Sequence, residues 1–434
     1  MAAVKRRYVA VIIALILIVG IPGYLSMYTS PDPDYSEPQT AAEGAGERTT
    51  EGLRADAPPA PVFPDLRRPA APQPAAASPV ASVTASDAPD YEEPESDPGA
   101  SAYVSSCQPA AGVSPNPNAE GRRARLKIAL AAPETAYIVQ RLREAENLVL
   151  TQTAGRISLK FYPGGIMGSD ADVIKKMQVR VLQGALLSPA SLQEAVPALG
   201  IYRLPMLFRS KDEVAHLREI TDPVLYDALL EAGYVAFCFA GNGFTRFFSK
   251  LPVRSEVDLR VSKVWVSEGD RIAERFLRLL EVSPASIPLV DLLVALQTGL
   301  LEVVTVPPLS AWVFQWYTQV DYMTDLPLTY DYSVLVIDAE AFEWIAPADQ
   351  RIIAAALNGV LHDFDSASFS DSSKAIEAIA RKGIHVVPAN PGFRSQLEGL
   401  MREQTMAMIG DGILPKDLTL QALQILADYR AAAP

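Results

Sequence analysis

The chain predicts a two-lobed α/β domain with long C-terminal helices, preceded by a transmembrane helix and a disordered linker. Three observations lead there. From about residue 122 onward, short apolar runs alternate with stretches whose apolar residues recur at helical spacing. Residues 31–121 are rich in proline and acid. Residues 8–28 carry no charge at all.

In residues 1–30, Lys5-Arg6-Arg7 precedes an apolar stretch from Tyr8 to Tyr28. As a helix it would span about 32 Å, enough to cross a bilayer core. The basic cluster places the N-terminus in the cytoplasm. A single-pass inner-membrane topology follows, with everything after Tyr28 in the periplasm of a two-membrane cell. The alternative is a cleaved signal peptide and a secreted periplasmic protein. The length of the apolar run and the lack of an Ala-x-Ala site favour an uncleaved signal-anchor.

Residues 31–121 form the second segment. They hold seventeen of the thirty-five prolines, and fifteen Asp or Glu against four Arg, with only four aromatics. Such a segment cannot bury enough apolar surface to offset its chain entropy. It predicts a self-repelling tether with a mean span of about 50 Å. Most of the formal charge of −13 resides here, and no basic stripe exists to favour a nucleic-acid partner. The two cysteines, Cys107 and Cys238, argue against a disulfide framework or a thiolate metal site.

The third segment is 122–434. Leu126–Ala131 reads as a buried strand, Thr135–Thr151 as a helix, Ile157–Tyr162 as an alternating strand ending at Pro163-Gly-Gly165, and Ala171–Gln183 as a helix. Tyr234–Ala240, Lys263–Val266, Leu301–Val306 and Ser333–Ile337 read as further strands. Helices are expected at Arg271–Leu280, Leu289–Thr298, Ala348–Phe364, Phe369–Lys382 and Thr419–Ala431. The alternation predicts a largely parallel sheet, and the length of this part favours two lobes over one core.

Five motifs in this region, in order, resemble the DctP-like solute-binding proteins of TRAP transporters. They are Tyr162-Pro-Gly-Gly165 with Met167-Gly168, Leu204-Pro-Met-Leu-Phe-Arg209, Gly241-Asn-Gly-Phe-Thr-Arg246, Ala295-Leu-Gln-Thr-Gly299, and Phe342–Gln350. The resemblance implies a periplasmic-binding-protein fold that closes by a hinge over a small-molecule ligand. Lobe I would comprise approximately 122–243 and 331–368, and lobe II approximately 244–330 and 369–434. It also implies TRAP-type small and large membrane subunits as partners.

The chain departs from the pattern where the family grips a ligand carboxylate. Trp265 stands at the position of the usual arginine, Val306 (followed by Pro307) at that of an asparagine, and Thr245 at a commonly basic position, with Arg246 one place later. A buried carboxylate without a cationic partner is costly, whereas Trp and Val offer apolar area and an indole donor. The expected ligand is therefore apolar or aromatic, or lacks a free carboxylate. Glu134, Phe244, Thr245, Arg246, Trp265, Val306, Pro307 and Trp312 are the candidate ligand-binding residues.

No nucleophile elbow, phosphate-binding loop or dinucleotide fingerprint occurs, and the three histidines lack metal-ligand spacing. The expectation is no catalytic residue, no metal, no cofactor and no enzyme activity. A degenerate receptor acting as a ligand-free scaffold or sensory module is the alternative: a lined, closable cavity of roughly several hundred cubic ångströms supports binding, and a cleft plugged by Trp265 and its neighbours supports the scaffold.

Overall fold

The computed structural model describes residues 116–432. The expected signal-anchor, and the linker up to residue 115, lie outside the described residues. Among the described residues no helix is long and apolar enough to cross a membrane.

The first lobe begins with three parallel strands joined by helices. These are β1 (Ala124–Leu130), α1 (Tyr137–Gln152), β2 (Ile157–Tyr162), α2 (Asp170–Gln178) and β3 (Gly184–Leu187). Ile157, Leu159 and Phe161 of β2 are buried, and the residues between them are not, as the two-residue pleat requires. In α1, Ile138, Val139, Leu142, Ala145 and Val149 form the stripe that covers the sheet. A 3₁₀ turn at Pro197–Arg203 and the long helix α3 (Lys211–Glu231) then lead to β4 (Tyr234–Ala236) and β5 (Ala240–Phe244).

The second lobe is built on β6 (Arg246–Ser249), β7 (Trp265–Ser267), α4 (Arg271–Leu279), β8 (Ala285–Ile287), α5 (Leu292–Gln297), β9 (Val303–Val306), α6 (Pro308–Val313) and β10 (Tyr322–Asp325). The chain then returns as β11 (Tyr330–Asp338). It closes with α7 (Pro347–Arg381), β12 (His385–Pro388), α8 (Phe393–Gly410) and α9 (Lys416–Ala432).

The sheet of lobe I runs β2-β1-β3-β11-β4, with β5 also paired to β11. It is mixed rather than largely parallel, because β11 runs antiparallel to β3, β4 and β5. The reason is topological: β11 re-enters from lobe II, so it arrives from the end opposite to a helical crossover. Core residues lie on both faces of this sheet, and Val334, Leu335, Val336 and Ile337 are all fully buried in consecutive positions. Lobe II has the order β12-β10-β6-β9, mostly antiparallel, flanked by the parallel pair β7-β8.

Two extended segments cross between the lobes side by side. The Thr245 amide donates to the Thr329 carbonyl (2.9 Å), and the Leu328 amide donates back to the Thr245 carbonyl (3.1 Å). Helix α7 forms the third connection. It is one helix of 35 residues, about 52 Å long, where the sequence suggested two helices parted near Ser366. The polar stretch that reads as a break is where α7 passes the crossing strand. Asp365 accepts from the Gly241 amide at 2.7 Å, and Ser372 donates to the Asn242 carbonyl at 3.3 Å. A Cβ on Gly241 would lie 2.4 Å from Asp365 Oδ1, and one on Gly243 (φ +85°) 2.6 Å from Ser372 Oγ. Only glycine lets the strand approach this closely.

Two further expectations are corrected. Helix α9, expected in lobe II, packs on α3 and the 3₁₀ turn of lobe I, contributing Ala422 and Leu426 to that core. Its stripe of apolar residues indicates burial but not against which partner. Cys238 is fully buried and disulfide-bonded; its partner lies outside the described residues.

Candidate functional site

The lobes enclose a cavity of about 170 Å³. Lobe I supplies the C-terminal end of β1, the first turns of α1 and α2, and Ser188 just beyond β3. Lobe II supplies Trp265, Ser267, Thr305, Val306, Pro307, Phe314 and Trp316, while Asn242, Thr245, Asp331 and Tyr332 come from the crossing region. A crevice beyond the C-terminal ends of parallel strands is where open α/β sheets place ligands. The lobes approach each other closely at two points. A Cβ on Gly165 of lobe I would meet Val290 of lobe II at 2.6 Å, and one on Gly269 would meet the Ala190 carbonyl at 3.3 Å.

Of the candidate residues, Thr245, Trp265, Val306 and Pro307 line the cavity. Thr245 has a second task, since its Oγ1 accepts from the Thr329 amide at 3.2 Å and ties the crossing segments together. Trp265 is buried, and its Nε1 donates to the Ile287 carbonyl at 2.9 Å. Its indole donor, expected from sequence to serve a ligand, is therefore spent, and the ring offers only apolar surface. Behind Trp265 lies an adjoining chamber of about 80 Å³, walled by Phe247, Phe276, Leu277 and Leu280. Trp265 lines both spaces.

The other four lie off the cavity lining. Glu134 is exposed and pairs with Arg143 at 3.2 Å. Phe244 packs edge-on against Tyr330 and Phe369 beneath the crossing strand. Trp312 stacks on Tyr317 with ring centroids 4.9 Å apart, in the core of lobe II. Arg246 is drawn toward Asp325 at 3.5 Å. Burial lowers the pKa of its guanidinium, and Asp325 only partly opposes this. Thr245 and Phe247 line the chamber behind Trp265, and the strand pleat turns the residue between them the other way.

The cation that does reach the cavity is Arg203, which sequence reasoning passed over. It ends the 3₁₀ turn and lines both spaces. Its Nη1 donates to Asp331 Oδ1 at 2.6 Å, and its Nη2 donates to Asp270 Oδ2. Both acceptors are themselves fixed. Asp331 Oδ2 accepts from Asn242 Nδ2 at 2.9 Å, and Asp270 Oδ1 caps α4 through the Ala273 amide at 3.0 Å. Burial works against the charge on Arg203, but the two carboxylates outweigh it and hold its pKa above the usual value. The guanidinium thus locks lobe I to lobe II and has its charge matched by the protein itself.

Asp170 is the second missed residue. It opens α2 and lines the cavity. The Ser188 amide donates to its Oδ2 at 3.0 Å. Burial pushes its pKa up, hydrogen bonds from Ser188 and Ser191 pull it back, and Glu268 pushes it up further. Among the described residues no ion pair engages Asp170. Neither Asp170 nor Arg203 belongs to the motif positions singled out from sequence. Among the described residues, no group of His, Cys, Asp and Glu is placed to hold a metal.

An interlobe cavity with aromatic walls and a few fixed polar groups has the form of a small-molecule site. The chain belongs to the DctP family, bacterial extracellular solute-binding protein, family 7, whose profile matches residues 128–410. Its fold is shared by solved TRAP periplasmic solute-binding proteins. Among relatives, the uncharacterised YiiZ of Salmonella typhimurium is 25% identical over 245 residues, covering 54% of this chain and 72% of that protein. Among solved structures, a TRAP periplasmic solute-binding protein of Desulfovibrio salexigens with bound orotic acid has a TM-score of 0.64 at 19% identity, covering 70% of this chain and 99% of that one. A sugar-acid-binding protein of Advenella mimigardefordensis, in complex with galactonate, has a TM-score of 0.66 at 16% identity, covering 71% and 99%.

Proposed function

We propose that this chain is the membrane-tethered, periplasmic receptor of a TRAP-type importer for a small apolar or aromatic ligand that lacks a free carboxylate. Residues 8–28 anchor it, the Pro-rich segment gives the receptor reach, and the two lobes hand the solute to small and large membrane subunits. The observation that carries the ligand class is the commitment of Arg203. The only guanidinium lining the cavity among the described residues is already paired with Asp270 and Asp331. The similar structures named above hold acids; an acid entering this cavity would find no uncommitted cation there. Trp265, Val306, Phe314 and Trp316 supply apolar wall instead.

The scaffold reading predicts a cleft filled by Trp265 and its neighbours, and the open volume on both sides of that ring favours binding. Thermal-shift screening of the purified chain tests the proposal. Aromatic and apolar solutes are expected to raise Tm, and C4-dicarboxylates to leave it unchanged. Strong stabilisation by succinate that persists in Trp265→Ala would refute the ligand class.

A further inference from the structure

We propose that the ligand's polar end is a cationic nitrogen, an ammonium carried on an aromatic body, and that Asp170 is its counter-ion. The inference rests on the receptor reading above and adds the charge of the ligand to it.

The ionised groups facing the cavity are Asp170, Arg203 and Asp331, with Asp270 behind Trp265. Arg203 bonds to both Asp331 and Asp270, so that triad carries one negative charge in excess. Asp170 adds another with no cationic partner among the described residues. Such a wall repels an anion and attracts a cation.

Asp170 is also built to remain an acceptor. It sits in the first turn of the nine-residue α2, where the helix end favours negative charge. It accepts from the Ser188 amide at 3.0 Å. An ionised carboxyl has about four acceptor sites, so capacity remains on the cavity side. A half-buried carboxylate lacking a cationic partner gains from pairing with an ammonium. Burial raises the pKa of Asp170 in the empty site, and a bound cation would relieve that. Trp265, Phe314, Trp316 and Tyr332 surround the space, and aromatic walls suit a cation bearing a ring.

Isothermal titration of the purified full-length chain with three matched probes tests this: 2-phenylethylamine, 2-phenylethanol and 3-phenylpropionate. The amine is expected to bind about tenfold or more tighter than the alcohol, with no measurable binding of the acid. Asp170→Asn should cut amine affinity about tenfold or more while leaving the alcohol within about twofold. If that variant does not fold, Asp170→Ser serves, since its hydroxyl also accepts from the Ser188 amide. Equal binding of amine and alcohol, insensitive to Asp170→Asn, overturns the cation but leaves the apolar receptor standing. Tightest binding by the acid overturns both. No binding of the amine at millimolar concentration also overturns the inference.

Discussion

Replacing Asp270 by Asn should convert this receptor into one that accepts a carboxylate. In the native protein the Arg203 fork is divided between Asp331 at 2.6 Å and Asp270. The side chains of Arg203 and Asp270 are only 11% and 3% exposed, so both ends of the pair are shielded from water. Asp270→Asn removes one negative charge without orphaning the arginine, because Asp331 still holds it. The helix cap survives as well. Asn accepts from the Ala273 amide as Asp does, and the two are near-equal at N-cap positions. The freed guanidinium edge can then donate to a ligand oxygen. A charge-assisted hydrogen bond contributes about 1.5–3 kcal/mol net, which corresponds to roughly 10- to 150-fold in affinity. Calorimetry with phenylacetate or succinate reads this directly, with circular dichroism confirming the fold. Unchanged carboxylate affinity in a folded Asp270→Asn protein would show that the Arg203 triad does not set ligand charge.

Two further outcomes concern the frame that closes the cavity. Arg218 is buried beside the crossing strand. Its guanidinium donates to Asp222, to Asp365 of α7, to the Tyr330 hydroxyl and to the Phe239 carbonyl. Arg218→Met leaves the buried Asp222 and the half-buried Asp365 without that cation and should cost about 3 kcal/mol in urea denaturation; a loss under about 1 kcal/mol would show the network to be dispensable. Glu213 ties α9 to α3 through Arg430 at 2.7 Å. Burial alone would raise the Glu213 pKa, but Arg430 and the Arg209 amide outweigh it and hold it below the ordinary value. Its stabilising contribution is therefore complete above the unfolded-state pKa and is lost as pH falls through the depressed folded value. Hydrogen exchange should show α9 protection dropping below about pH 4, and Glu213→Gln should remove that pH step.

Much of the fold was legible because local pattern and tertiary role coincide. The pleat of β2, the stripe of α1 and the turn at Pro163-Gly-Gly165 each follow from spacing alone. In that turn the Gly164 amide donates to Ala132 and the Gly165 amide to Leu130, seating it on the β1–α1 loop. The single span of α7 was not legible, since its central Asp365 and Ser372 look like a surface break until the strand they bond is in place. The direction of β11 and the docking of α9 are likewise properties of where the chain returns, which no window of sequence contains.

The site divides in the same way. The family was legible in the sequence because its motifs keep their order, and the resemblance points to position 265, a Trp, as the place where an arginine is expected. Only the tertiary structure decided what took its place. Arg203 reaches the cavity from 62 residues upstream of Trp265 and meets Asp270 and Asp331 there, and Asp170 enters from the same lobe as Arg203. The physical reason is that a ligand site is a sum of charges brought together by folding. No single position records the balance that selects a ligand, because it depends on pairings between distant residues.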